Sequence, residues 1–175
     1  MIDPQRLASV PLAGFDATCY RHQAPKYDPL DGHGARLHGG RFTPPGSFPT
    51  LYLCTSLRCV TAELQRLGQR QVIGVEALLP RAVYEYWVSL GRVLDLTSGE
   101  VLEQVGLREA DVTAPDWRLT QELGQAAHSL DFQAIRAPSA LGVDEILAVF
   151  LTQLGDGRLE ARLLGTWESL DDLPT

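Results

Sequence analysis

The sequence predicts an α+β domain, and three observations carry that reading. Its 175 residues match the length of one domain. Hydrophobic residues make up 45% of the chain, ordinary for a packed core that needs no disulfide or metal staple. Strand-like and helix-like segments are interspersed without strict β–α alternation, which argues against a doubly wound parallel sheet. Phe15–Arg21 (FDATCYR) reads as a first strand. Residues 23–40, rich in Pro, Asp and Gly, read as a polar loop long enough to carry function. Thr50–Cys54 is predicted as a buried strand. Ser56 then caps a helix to Gln69, along which Leu57, Val60, Leu64 and Leu67 recur at helical spacing. Val72–Leu79, closed by Pro80, and Ala82–Val88 are predicted strands. Helices are expected near Glu100–Gln104 and over Asp116–Ser129. Short strands are expected at Phe132–Ala137, Ile146–Leu151 and Arg158–Leu164. No repeat, low-complexity tract or linker divides residues 1–175, so a single domain is expected.

The charge balance narrows the function classes. Fifteen basic residues against 22 acidic ones give a net charge of −7, contrary to what nucleic acid or an anionic membrane attracts. A small anionic ligand in a local basic pocket stays compatible. Lys26 is the only lysine, so every other cation is an arginine, whose planar fork grips phosphate or carboxylate. A GC-rich coding sequence gives the same bias, so position must decide. Residues 1–10 carry no apolar run after Arg6, and no stretch approaches the ~18 apolar residues of a membrane span. A cytoplasmic protein without signal peptide or membrane helix is therefore expected. Cys19, Cys54 and Cys59 form no C-x-x-C pair and read as buried free thiols.

The densest segment for chemistry is Asp31–Arg41, DGHGARLHGGR. Glycines let backbone N–H groups approach a ligand closely, and Arg36 and Arg41 stand among them, a combination suited to pyrophosphate. The segment is neither a P-loop nor a Rossmann fingerprint, since G-K-[ST] and G-x-G-x-x-G are both absent. His33 and His38 flank this loop with Asp31 nearby; ordinary loop histidines are expected there rather than a metal site. Glu63 sits near the edge of its helix's apolar stripe. It reads either as a solvated partner of Arg66 or Arg70, or as a partly buried carboxylate that stabilises developing positive charge. Tyr52 reads as core with a ring able to pack on a flat ligand. Ser139, in Ala137-Pro138-Ser139-Ala140, lacks a G-x-S-x-G elbow and reads as a hydroxyl that caps a turn or donates to a phosphate. Asp171-Asp172 and Asp144-Glu145 read as a solvated tail and a turn.

Taken in order, Tyr20-Arg21, GARLHGGRF with Pro45-Gly46, Leu51-Tyr52-Leu53, Ala62-Glu63-Leu64 and Ala137-Pro138-Ser139-Ala140 resemble the RES-domain toxins, over about residues 20–150. The resemblance implies an α+β fold with a central split β-sheet, related to ADP-ribosyltransferases. It implies an NAD⁺-degrading toxin of a toxin–antitoxin system that cleaves the nicotinamide N-glycosidic bond. Inorganic phosphate (a phosphorylase) or water (a glycohydrolase) is the acceptor. No cofactor is implied beyond NAD⁺ as substrate, with phosphate as co-substrate where the enzyme is a phosphorylase. The implied partner is an Xre-type helix-turn-helix antitoxin that carries the DNA contacts, leaving none to this chain.

By the same resemblance, Glu63 would stabilise the oxocarbenium-like ribose, and Arg21 and Arg41 would hold the pyrophosphate or place the attacking phosphate. Tyr52 would pack on the nicotinamide or ribose, and Ser139 would donate to a phosphate or hydroxyl. The family motif usually reads GGRW followed by Asn; here Phe42 and Thr43 keep an aromatic body and a hydroxyl. Three other readings compete: ADP-ribosyl transfer to a protein or nucleic acid, a non-catalytic interaction domain on the same fold, and a metal-dependent hydrolase built on His33 and His38.

Overall fold

In chain order the elements are a short helix α1 (Pro4–Ala8), the long strand β1 (Ala13–Gln23), a two-turn helix α2 (His33–His38), strand β2 (Thr50–Cys54) and helix α3 (Leu57–Gln71). The fifteen-residue strand β3 (Arg81–Asp95) follows, then α4 (Gly99–Val105), α5 (Glu109–Val112), α6 (Arg118–Ser129), β4 (Ala134–Pro138), β5 (Glu145–Phe150) and β6 (Arg158–Trp167). This computed structural model describes residues 1–174. No helix among them is long and apolar enough to cross a membrane.

The sheet is a ring. β2 runs antiparallel to β5 (Leu51↔Val149), β5 antiparallel to β4 (Ile135↔Ala148), and β4 parallel to β3 at Val93–Asp95. β3 then runs antiparallel to β1 from Gln23↔Ala82 to Ala13↔Val93, and β1 returns to β2 at Tyr20↔Cys54. Where the family resemblance implies a split sheet, the strands close into a barrel. The cause is the length of β3. One of its edges is occupied by β1 along almost its whole run; the other pairs first with β6, at Arg81–Ser89, and then with β4. The ring is thinnest between β1 and β2, which share one register pair.

Alternation along the strands sends side chains to two cores. Phe15, Cys19, Leu51, Leu53, Tyr86 and Val149 belong to a cluster that contains strand residues and fills the barrel. Ile135, Ala137, Ala148 and Phe150 face outward, where Val60 and Leu64 of α3, Val101 and Val105 of α4, and Leu123 and Ala127 of α6 cover them. α6 also seats on the glycine-rich loop. A Cβ at Gly124 would lie 1.8 Å from the Phe42 carbonyl oxygen, so only glycine allows this approach. Gln121, one turn earlier, donates to the Gly40 and Thr43 carbonyls.

The helix begun by Ser56 forms as expected: the Ser56 hydroxyl accepts from the Cys59 N–H at 3.1 Å. The strand expected at Val72–Leu79 does not form. Its apolar residues divide instead between solvent and core. Val72 and Ile73 lie exposed just past the end of α3, while Val75, Leu78 and Leu79 pack on the outer core around a 3₁₀ turn at Glu76–Leu78. Alternation of apolar residues looks the same for a strand and for a helix exit that folds back. Sequence reading also missed α1, α2 and α5, each six residues or shorter.

Val72 closes α3 in the left-handed region at φ 57°, ψ 24°, a conformation that crowds a β-branched side chain. It is 90% exposed, so its side chain contributes almost no packing. Val72→Gly is expected to stabilise the fold by about 1 kcal/mol, read as a higher urea midpoint at unchanged slope. An unchanged or lower midpoint would show that the strain is absent.

Candidate active site

A cavity of about 380 Å³ opens where β1 and β2 diverge. Its walls come from the end of β1 (Tyr20, Arg21, His22), from Tyr52 and Cys54 of β2, from the loop Gly39–Arg41, and from Arg81 at the start of β3. α3 contributes Val60, Glu63, Leu67 and Arg70, one stripe at helical spacing, together with Arg66. Trp117, which precedes α6, completes the wall.

Five arginines therefore line the cavity of a chain whose net charge is −7. Among the described residues none of the five forms an ion pair, whereas Arg6, Arg108, Arg118, Arg136, Arg158 and Arg162 each meet a carboxylate elsewhere. Uncharged groups hold the cavity arginines instead. Arg21 donates through Nη1 to the Tyr52 carbonyl at 3.1 Å, and Arg41 through Nη1 to the Val112 carbonyl at 2.6 Å. Arg81 donates through Nε to Nδ1 of His22 at 3.1 Å, and Arg70 lies over the Trp117 ring at 5.2 Å. Burial lowers the pKa of Arg21, Arg41 and Arg81; Arg66 adds to the effect on Arg41, and Arg21 to that on Arg81. Two buried side-chain donors have no acceptor, Arg21 Nε and Trp117 Nε1, and both belong to cavity residues. Leaving such a donor unpaired typically costs about 1–3 kcal/mol, a deficit that a ligand oxygen would remove.

The glycine-rich loop is locked against Tyr52. The Tyr52 hydroxyl accepts from the Phe42 N–H at 2.9 Å and lies 2.8 Å from the Thr43 hydroxyl. Thr43 gives its own proton to Thr50, so Tyr52 donates to Thr43. Burial pushes the Tyr52 phenol up to about 12. Its hydroxyl is thus committed to the scaffold, and its ring is what remains for a ligand. A Cβ on Gly40 would stand 2.6 Å from that hydroxyl, so the second glycine of GGR is what lets the loop lie on the ring. Phe42 is fully buried under α6, a packing role that its aromatic body fills without an indole N–H.

Arg21, Arg41, Tyr52 and Glu63, singled out from sequence, all converge on this cavity. Glu63 is half-buried and forms no ion pair with Arg66 or Arg70, so the reading of a surface pair does not hold. Ser139 does not reach the lining. Buried beyond β4, its hydroxyl accepts from the Leu141 N–H at 3.2 Å, the turn-capping role of the two considered for it. His33 and His38 are exposed at the two ends of α2, and the described residues contain no cluster of three metal-ligating side chains. Asp144 and Glu145 serve structure, accepting from Ser56 and Arg136. Cys54 touches Cys59 at 2.7 Å and, like Cys19, is a buried free thiol.

Sequence reading missed His22, Arg81, Arg66, Arg70 and Trp117 as cavity residues. A signal existed for two of them, because Arg66 and Arg70 repeat at three and seven residues after Glu63 and so share its helix face. For His22, Arg81 and Trp117 the sequence carries no signal, since strand pairing and the α6 entry bring them in.

A family model described as the RES domain matches residues 18–162. The NAD(+) phosphorylase MbcT of Mycobacterium bovis and that of Mycobacterium tuberculosis are each 33% identical over 160 residues, covering 90% of this chain and 86% of theirs. The crystal structure of the M. tuberculosis MbcT–MbcA toxin–antitoxin complex contains a chain that superposes with a TM-score of 0.77 at 32% identity, covering 92% of this chain and 91% of that one.

His22 generates a pH prediction. Burial first, then Arg81 and Arg21, depress its pKa from the usual 6.5 to about 3. Between those values the unfolded chain binds one proton more than the folded chain. Stability therefore rises with pH across the window, and this contribution is lost as pH falls from about 6.5 to about 3. One group contributes at most about 1.4 kcal/mol per pH unit. Urea titrations of wild type and His22→Asn should differ by a slope of this sign below pH 6.5, the variant being the flatter. Parallel curves would mean that the folded cavity accepts a charged imidazole.

Proposed function

This chain belongs to the RES-domain family, and from that premise we propose that it is an NAD⁺-degrading toxin of a toxin–antitoxin pair. The reaction is cleavage of the nicotinamide N-glycosidic bond, with inorganic phosphate as acceptor. The observation that supports it best is the cavity of unpaired arginines beside one helix-borne carboxylate, Glu63. A pyrophosphate needs the first, and a ribose that develops positive charge needs the second.

In the proposed reaction a phosphate oxygen forms a bond to the anomeric carbon of the nicotinamide ribose. The C–N bond breaks, and its electron pair leaves with nicotinamide, which becomes neutral and needs no general acid. The products are nicotinamide and ADP-ribose-1″-phosphate. Glu63 stabilises the oxocarbenium-like ribose. Arg41 and Arg21, neither in an ion pair with a carboxylate among the described residues, bind the anionic groups. The ring of Tyr52 supplies a flat apolar surface held by its hydroxyl. On this reading the barrel is a relative of the ADP-ribosyltransferase fold, and the chain works in the cytoplasm. Its partner is an Xre-type antitoxin, with no direct contact to nucleic acid by the toxin, in keeping with the charge of −7.

Purified chain incubated with NAD⁺ is expected to release nicotinamide only when phosphate is present, with ADP-ribose-1″-phosphate as the other product by mass. Plain ADP-ribose formed without phosphate would make the enzyme a glycohydrolase. Label transferred to protein or nucleic acid would make it an ADP-ribosyltransferase. Glu63→Gln should slow turnover by roughly 10²–10³, the usual cost of one lost electrostatic contact in a transition state. Wild-type turnover by a folded Glu63→Gln protein removes Glu63 from the mechanism.

A further inference from the structure

Strand β6 stands outside the ring with one edge free. It pairs with β3 from Ser89↔Arg158 to Arg81↔Trp167, and among the described residues no backbone hydrogen bond reaches its other side. A free edge of ten residues is a template for another strand, and proteins commonly blunt such edges with proline, lysine, a bulge or a covering segment. β6 (RLEARLLGTW) carries neither proline nor lysine, and its one irregularity, the register shift at Leu164, leaves Arg158–Leu163 regular. Leu163 and Leu164 stand 54% and 45% exposed on this strand, and Trp87 of β3 is 52% exposed beside it. Leu159 and Ala161 pack towards the barrel interior, so Arg158, Glu160 and Arg162 share the opposite face, where the sign of charge alternates. Arg158 pairs with Glu160 at 2.9 Å; Arg162 pairs with Glu85 and lies over the Trp87 ring at 5.9 Å.

We infer that the free edge of β6 docks a second copy of this chain, the two strands running antiparallel about a two-fold axis at Ala161. In that register Glu160 faces Arg162 of the other copy, Arg162 faces the other Glu160, and Leu159 faces the other Leu163. Like faces stay together only when the axis passes through a residue. Moving it by one residue sets Glu160 against Glu160 on one side, or Arg162 against Arg162 on the other, so the charges select a single register. A row then crosses the joined sheet as Glu85, Arg162, the other copy's Glu160 and the other copy's Trp87, and the two-fold axis repeats it. The exposed Leu163 meets the half-buried Leu159 in the same pairing. A second copy fits better than an unrelated strand because a two-fold contact requires a patch that is its own complement, and the pattern Glu160–Ala161–Arg162 is one. No residue lining the cavity lies on β6, so the inference does not depend on the reaction assigned to the cavity.

Sedimentation equilibrium of the purified full chain should give twice the mass of one chain. Glu160→Arg and Arg162→Glu each set like charges opposite one another at two symmetric places, and each alone should weaken the dimer by roughly 10- to 100-fold. Mixed in equal amounts, the two variants should dimerise again, because both cross-strand pairs are then of opposite sign. Should either charge reversal fail to fold, Ala161→Cys decides. Its two copies meet at the axis and should close a disulfide under mild oxidation, the native cysteines being buried, whereas Arg158→Cys, whose copies lie far apart in this register, should not. A wild-type monomer at the highest soluble concentration overturns the proposal, as does a dimer that Glu160→Arg leaves intact or a mixture of the two variants that stays monomeric. An Ala161→Cys chain that cross-links no better than Arg158→Cys overturns it too. Protection of β6 amides from hydrogen exchange that arises only when the antitoxin is added would give the edge to that protein, and the self-pairing would again be overturned.

Discussion

Five guanidinium groups share one cavity and repel one another, and much of this structure is arranged around holding them without a carboxylate in contact. A carboxylate would hold each one more strongly, as carboxylates do for the paired arginines elsewhere on the molecule. In the cavity, dipoles and π-systems do it instead: the Tyr52 and Val112 carbonyls, the His22 imidazole and the Trp117 ring. Each of these partners must be rigid, because a dipole holds a charge only at one distance and angle. The carbonyls belong to β2 and to the last residue of α5. His22 is fixed by the β1–β3 ladder. Barrel closure, the short α5 and the seat of α6 on the loop are all needed for the cavity to keep its charge.

The seam between β1 and β2 makes room for the site. A ring hydrogen-bonded evenly throughout would fill its interior with side chains, as happens here at Leu51, Leu53, Tyr86 and Val149. Because β1 meets β2 at one register pair, polar side chains at the end of β1 can share a cavity with residues of α3 and the glycine-rich loop. The loop is tied down from both sides, by the Tyr52 hydroxyl beneath it and Gln121 above, so Arg41 projects from a fixed backbone.

Much of the site was legible in the sequence because its residues sit in short, continuous motifs. GGR, the Leu51-Tyr52-Leu53 strand and Glu63 on a capped helix each lie within one local element. Their convergence follows from the family pattern that the RES-domain match bears out. What sequence did not yield depends on which strands become neighbours. Arg81 enters the cavity only because β3 starts beside the end of β1, and Trp117 only because α6 crosses Phe42 at Gly124. The split sheet failed for the same reason, since nothing local reveals that a strand of fifteen residues will have both edges occupied. Ser139 follows the turn-capping one of its two readings: its hydroxyl accepts from the Leu141 N–H where the chain turns, and it stands outside the cavity walls.

The two orphan donors, Arg21 Nε–H and Trp117 Nε1–H, have a consequence beyond recognition. Both are buried without a protein acceptor, so a bound anion whose oxygens reach them would satisfy them. Occupancy therefore adds to folding stability by mass action. On the proposed reading the stabilising molecule is also the one being destroyed. As a cell's NAD⁺ runs down, the protein loses its own support, its transiently opened population grows, and proteases meet more of it. The lifetime of the protein is thereby tied to the supply of its substrate.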